Sequence, residues 1–403
     1  MTASVQDFLL AAKQHEIDEL RQLAAKAELV IVIGHLVHSL QKERGASSIY
    51  LASAGRRFGN IRADIVLENG PLEEEVRALL GKQLESPAPA AARLYAQMAW
   101  VLIGLDSLKT VREQIAGLAM EADDAIRAYI QIIADLISLI FEIADTAISP
   151  DISRSLAALF HFIQGKEQAG QERALGALCF ASGRCDDAAR QRLQHLVEQQ
   201  EYSFHAFAEL TSPSALGSWR VIVESDNSAR LEDFRRILHD AQAGASLDPG
   251  RSDAWFDCSS LRLTAMRTLE RMLLESLEEL CGLQIAQAER ELQDSEGLIA
   301  AMRPRAPALA APAAPSMVAM LQAQSDRLAA MEQELDKARR SLNERKVIER
   351  AKGVLMAQMG VPEENAYKML RKAAMDLNRR ISEVAETILA LPNPQEVLRG
   401  LKP

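Results

Sequence analysis

The stretch "AYIQIIADLISLIFEIADTAI", residues 128–148, is the most apolar in the chain. It is long enough for the roughly 20 residues of a bilayer span. It nevertheless carries Asp135, Glu142 and Asp145, and one charge near a bilayer centre costs about 3 kcal/mol. The run is therefore read as a helix buried in a protein core. To either side, from Gln6 to about Met302, apolar residues recur every three or four positions. Pro and Gly fall mostly in short breaks such as "ESPAPAA", "ISPD", "TSPSALG" and "SLDPGRSD". The pattern predicts an all-α body of seven or more helices, several of them long, arranged as two four-helix bundles or one elongated bundle.

Length and composition agree. The 403 residues leave room for roughly two or three domains. Only 4 % are aromatic against 48 % apolar and 25 % charged, a balance that favours amphipathic helices over sheets. The net charge of -10 excludes attraction of the whole surface to nucleic acid or anionic membrane, so any such contact must be local. Cys179, Cys185, Cys258 and Cys281 form no metal-ligand or disulfide-framework spacing, which fits a reducing cytoplasm. The opening "MTASVQDFLLAAKQHEIDEL" has no basic segment followed by a long apolar core; no secretory signal and no membrane association are expected.

Near residue 302 the pattern changes. "MRPRAPALAAPAAPS" holds four prolines among alanines, which removes helical hydrogen bonds and favours an extended spacer. The expected divisions are a helical body at 1–302, an Ala/Pro linker at 303–316, a helix at 317–344 and a small domain at 345–403. Within 317–344, Leu321, Leu328, Leu335 and Leu342 recur every seventh residue beside Met317, Gln324, Met331 and Ala338. This seam admits a short coiled coil pairing two chains as a homodimer, or a helix lying on its own domain.

Two signatures raise a chemical question: "QKERGASSIYLASAGR" at 41–56 and "QERALGALCFASGR" at 171–184. On a helix of 3.6-residue period, Arg44 falls on the stripe of Leu29, Ile33, Leu36, Leu40, Ser47 and Leu51. Arg173 falls on that of Leu156, Leu159, Ile163 and Gly170. Both guanidiniums point inward, and each then needs an anion. Glu43 and Glu172 lie about 100° round the helix from their arginine neighbours, so Glu167 or a carboxylate on another helix is the internal candidate. The external candidate is a small planar oxyanion held between two arginine forks, such as nitrate, carbonate or a small carboxylate. Gly45, Ala46, Ser47, Gly170 and Ala174 would leave it room.

"HSLQKERGASSIYL" together with "GKEQAGQERALGALCFASG" resembles the NIT domain, a helical nitrate- and nitrite-sensing module. "LEDFRRILHDAQAGASLDPGRSDAWFDCSSLRLTAMRTLE" resembles its closing section. The likeness spans most of residues 30 to 285. It implies a nitrate or nitrite effector, with Arg44 and Arg173 as ligands and Arg235 or Arg236 as a weaker third.

Beyond the seam, "ERKVIERAKGVLMAQMG", "VPEENAYKMLRKAAMDLN" and "RISEVAETILALP" read as three short helices. Pro362 and the acidic Glu363 and Glu364 open the second; Ser382 is expected to cap the third. Ile348, Ala351, Leu355, Ala366, Leu370, Ala373, Leu377, Val384, Ala385 and Ile388 supply a core. Lys368, Arg371, Lys372 and Arg379 form a basic stripe off that core. Arg345, Lys346, Arg350 and Lys352 add a cluster on the first helix, and Arg380 lies at the corner. Such a face serves phosphate recognition, although solvated helix charges can look alike. With Tyr367 the only aromatic, a platform stacking several bases is not expected. On chemistry alone a DNA-reading helix-turn-helix stays open. The segment is similar to the ANTAR domain throughout, and that resemblance implies binding of structured leader mRNA hairpins.

No Gly-rich phosphate loop, nucleophile elbow or zinc spacing occurs in the sequence, so neither enzyme activity nor a cofactor is expected. Two functions remain in contention. One is a one-component nitrate-responsive antiterminator. The other is a helical interaction scaffold or DNA-binding regulator whose arginines are internal salt bridges.

Overall fold

Residues 128–148 lie almost wholly within one core helix, and a carboxylate near its C-terminal end shows why that helix stays in protein. Glu142 is buried and accepts a bond from Arg93 at 2.5 Å. The computed structural model describes residues 5–85, 92–241, 246–302, 330, 332–335, 339, 344, 347–348, 350–356, 359, 361, 363–377 and 379–390. Its helices are α1 (Val5–Ala52), α2 (Gly59–Glu85), α3 (Ala92–Ala116), α4 (Ala122–Asp145), α5 (Pro150–Ser182), α6 (Asp187–Leu210), α7 (Pro213–Val223), α8 (Asp226–Asp240), α9 (Arg251–Met302), α10 (Glu363–Leu377) and α11 (Ile381–Ala390). Among the described residues there is no strand, and the fold is all-α.

α1 to α4 pack on one another as a first tier, and α5 to α9 as a second. α1 lies along α9 and touches α5, while α4 packs on α5, so one continuous apolar core runs through both tiers. The second tier departs from a four-helix plan because its third position is filled by two short helices. The division is local chemistry. Ser212, followed by Pro213, caps α7; α7 ends at Val223; and Ser225 Oγ then accepts from Ser228 N at 3.2 Å to start α8. The helix whose length and apolarity would suit a bilayer is α1, over Asp7–Ala52, and most of its apolar window is buried inside the protein. All four cysteines are buried free thiols.

The closing "ASAGR" and "ASGR" of the two signatures do the same job. Gly55 and Gly183 sit at φ +80° and +68°, a backbone that only glycine takes without strain. In α5 Gly183 takes the left-handed closing position, with Arg184 N donating to Cys179 O at 3.1 Å; in α1 Ala54, at φ +50°, takes that position and Gly55 follows it, its N donating to Tyr50 O at 2.9 Å.

A separate small core unites the C-terminal residues, with Ile348, Ala351, Leu355, Ala366, Leu370, Ala373, Val384, Ala385 and Ile388 buried as expected and Tyr367 joining them. Leu377 does not; it is 42 % exposed at the last turn of α10. Nor does Ser382 cap α11, which starts one residue earlier, with Val384 N donating to Arg380 O at 3.2 Å. The linker 303–316, the heptad positions other than Leu335, and Arg345, Lys346, Pro362 and Asn378 lie outside the described residues. Leu335 is buried. On either side of it Arg154 of α5 donates to Glu334 at 3.0 Å, and Arg339 donates to the Ala147 carbonyl at 3.1 Å.

Candidate functional site

Each Glu-Arg tandem divides its labour between two directions. The glutamates turn into their own tiers. Glu43 is fully buried and accepts from Arg112 Nε and Nη2, both at 2.8 Å, from Asn69 Nδ2 at 2.6 Å and from the Tyr129 hydroxyl at 2.6 Å. Four helices, α1 to α4, therefore meet at one carboxylate. Burial, and then Glu43 itself, pushes the Tyr129 phenol up, which keeps it a donor.

Glu172 repeats the arrangement in the second tier. It accepts from Arg235 Nε and Nη2, both at 2.7 Å, and from Gln200 Nε2 at 2.7 Å. Burial alone would raise the Glu172 carboxyl, but Arg235, with Arg262 and Gln200, holds it below the usual carboxylate range. Arg262 donates to Gln200 Oε1 at 3.1 Å; burial, then Arg235, lowers it to about 10. Arg235 is thus engaged as the lock on Glu172, while Arg236, 71 % exposed, pairs on the surface with Asp233 at 2.6 Å. Arg112, the counterpart of Arg235 in the first tier, escaped the sequence reading. The signal was available, since both arginines follow their glutamate at similar separation.

The arginines of the tandems turn the other way: Arg44 reaches across the seam to α5, while Arg173 reaches to α9 within its own tier, close enough to Arg44 for the two charges to interact. Arg44 is 8 % exposed. Its Nη1 pairs with Glu167 Oε1 and its Nη2 donates to Glu167 Oε2 at 3.2 Å, closing a two-bonded fork from α1 to α5. The Gln41 and Gln171 amides also donate to Glu167, each at 2.8 Å. Gly170 allows this approach, because a Cβ there would lie 3.3 Å from Arg44 Nη2. Gly45 has nothing within 4 Å of its Cβ direction and faces open space, so it leaves no room at the seam itself.

Arg173 is half-buried. It donates to Ser260 Oγ at 3.0 Å and lies over the Phe256 ring at 4.9 Å, and its hydrogen-bond partners include no carboxylate. Burial lowers its pKa, and Arg44 lowers it further, with Glu167 opposing; the two guanidiniums therefore sense each other. Two arginines and one carboxylate leave this seam with one unit of excess positive charge.

The C-terminal basic residues are brought only partly together. Lys368 donates to Gln191 at 3.3 Å and Arg371 pairs with Glu198 at 2.5 Å, both on α6, while the Tyr367 ring meets that of His195 edge-on at 5.4 Å. Lys372 and Arg350 are exposed. Arg379 pairs with Glu383 at 3.0 Å and Arg380 with Glu344 at 3.4 Å, just past the end of α10. Lys352 departs from the expected cluster: it is 3 % exposed. Among the described residues no group of three His, Cys, Asp or Glu side chains could hold a metal.

A two-tier helical body with one arginine forked between its tiers and a second beside it, carrying a small basic helical module docked on its flank, belongs to the class of regulators whose input and output share one chain. The family model for nitrate and nitrite sensing matches residues 35–278, and that for the ANTAR domain matches residues 336–389. The chain belongs to the nitrate and nitrite sensing family and carries an ANTAR domain at its C-terminal end. It is 32 % identical over 394 residues to the nitrate regulatory protein of Klebsiella oxytoca, covering 97 % of this chain and 96 % of the other. The transcriptional regulatory protein PdtaR of Mycobacterium tuberculosis is 39 % identical over 62 residues, 15 % of this chain and 30 % of its own. A solved structure of the NasR transcription antiterminator superposes with a TM-score of 0.63 at 29 % identity, over 95 % of this chain and 97 % of that one.

Proposed function

We propose that nitrate or nitrite is received in the seam between Arg44 and Arg173, and that its arrival frees the ANTAR domain to bind leader mRNA hairpins and prevent termination of nitrate-assimilation genes. By family and domain content the chain is a nitrate-responsive antitermination regulator; the site, the RNA face and the coupling are the parts proposed. The observation that carries the site is the excess positive charge at Arg173, whose guanidinium is held by a hydroxyl and an aromatic face and is left one anion short. Arg235 serves as a positioning residue. It fixes Glu172, and so the rotation of the α5 turn that presents Arg173.

The coupling rests on the docked module. Lys368 and Arg371, two of the residues read as phosphate contacts, face α6, and α6 packs along the same α5 that carries Glu167 and Arg173. A change at the seam thus has a short mechanical path to the docking face. Nitrate then selects the undocked arrangement, and by linkage RNA must raise nitrate affinity by the factor that nitrate raises RNA affinity. The working surface comprises Arg345, Lys346, Arg350, Lys368, Arg371, Lys372, Arg379 and Arg380. The contacts of Glu334, Leu335 and Arg339 support the reading of 317–344 as a helix lying on its own chain. The protein acts in the cytoplasm, without a membrane and without a cofactor.

Calorimetric titration of the full chain with sodium nitrate tests the site. Saturable binding is expected in the wild type and its loss in Arg44→Ala and in Arg173→Ala. Undiminished binding in either variant would move the effector elsewhere.

A further inference from the structure

Glu167 occupies the place where the effector has to be held. Both terminal nitrogens of Arg44 are spent on its two oxygens, and the Gln41 and Gln171 amides close on those oxygens from either side. A carboxylate so held is a flat, singly charged oxyanion in an arginine fork with an amide donor at each edge. Nitrate has the same charge, the same planarity and nearly the same oxygen spacing, and its third oxygen would point where the side chain of Glu167 now leaves. The two anions therefore compete for one set of donors, and a grip by both arginines is unreachable while Glu167 holds Arg44.

Deepening the proposed function, and resting on it, we infer that Glu167 is an internal competitor of the effector: nitrate binds by displacing this carboxylate from Arg44, and Glu167 thereby sets the affinity and the selectivity of the sensor. The charge balance favours such an exchange. With Glu167 in place Arg44, Arg173 and Glu167 sum to one positive unit, so an incoming monoanion is attracted before the exchange and brings that sum to zero after it. The exchange also has a structural consequence. The Arg44–Glu167 fork spans α1 and α5, so losing it unfastens a link between the tiers on the helix against which α6 packs. Selectivity follows from the same geometry. A small carboxylate such as formate reproduces the group that already fills the fork and should compete, whereas chloride offers only a point charge and cannot accept two parallel bonds.

The decisive variant is Glu167→Gln, which keeps the shape of the side chain and removes the charge that competes. Titrating the full chain with sodium nitrate, we expect this variant to bind about tenfold tighter than the wild type or better, which corresponds to about 1.4 kcal/mol per decade. Formate should displace nitrate from the wild type and chloride should not. Glu167→Asp supplies a second reading should the glutamine variant fold poorly. It keeps the charge but is one methylene shorter, so it should hold Arg44 less well and bind nitrate with intermediate affinity. A merely structural role would show the reverse, because loosening the α1–α5 link would weaken the site. If the wild type binds nitrate and both variants bind it equally or less tightly, the inference falls while the site stands. If neither wild type nor variants bind nitrate, or if Arg44→Ala binds as well as wild type, the site falls and the inference with it.

Discussion

At the scale of single residues, the chain distinguishes arginine as a fork from arginine as a charge. Arg44 and Arg235 each use two nitrogens on one carboxylate, which an ammonium cannot do. Arg44→Lys is therefore expected to weaken nitrate binding nearly as much as Arg44→Ala, by about tenfold or more; titration that finds the lysine variant unimpaired would refute the fork argument. His38 makes a separate pH prediction. Burial, followed by Lys166, Arg267, Lys42 and His35, lowers it to about 2, so the folded state stays neutral at this ring while the unfolded state takes a proton below about 6.5. The unfolded state then binds more protons, and stability must fall as pH drops below about 6.5, by at most about 1.4 kcal/mol per pH unit. Denaturant unfolding between pH 7 and 5 should show a shallower loss in His38→Gln than in wild type. Parallel slopes would mean that His38 is protonated when folded.

At the scale of helices, the two tiers differ in how close their members come. Gly176 lets the Trp255 indole of α9 lie against α5, since a Cβ there would sit 2.3 Å from the ring. The same indole donates to the Arg173 carbonyl at 2.9 Å and so helps place the seam arginine. Trp255 is wholly buried and has nowhere to move, so Gly176→Ala should destabilise the fold by about 1–3 kcal/mol and weaken nitrate binding together with it. Gly45 gives the contrast, because its missing Cβ would point into open space within α1. Gly45→Ala should stabilise the protein by about 0.5–1 kcal/mol. Thermal unfolding of the pair tests both signs, and the same sign for the two would contradict the packing described.

At the scale of the whole molecule, the charged contact between α10 and α6 is Arg371 with Glu198, a partly exposed pair whose own worth is small. Burial opposes but does not prevent the upward shift that Glu198 gives Arg371. A weak latch suits a switch, because an effector can shift only as much free energy as it differentially binds. Glu198→Lys reverses the charge under Arg371 without touching the RNA face. It should let the full chain bind a leader hairpin in the absence of nitrate, with the nitrate response diminished. Arg371→Ala releases the same latch but removes a phosphate contact, so RNA affinity should drop and flatten in its salt dependence. If Glu198→Lys leaves RNA binding fully nitrate-dependent, docking on α6 does not control the module.

Much of this was legible in the chain itself. Spacing fixed the helical class and the inward aim of Arg44, because the 3.6-residue period is a property of each helix alone. The breaks were readable for the same reason, since Ser212 with Pro213, Gly55 and Gly183 act on the backbone within a few residues of themselves. The partners were not. Glu167 was recognisable as a carboxylate near an arginine, but that it serves Arg44 from 123 positions away depends on how α1 and α5 rotate and slide against each other. The same holds for Arg112 on Glu43, for Arg235 being locked on Glu172, and for the burial of Lys352. Local sequence sets which face a side chain shares; only the packing of one helix on another decides what that face meets.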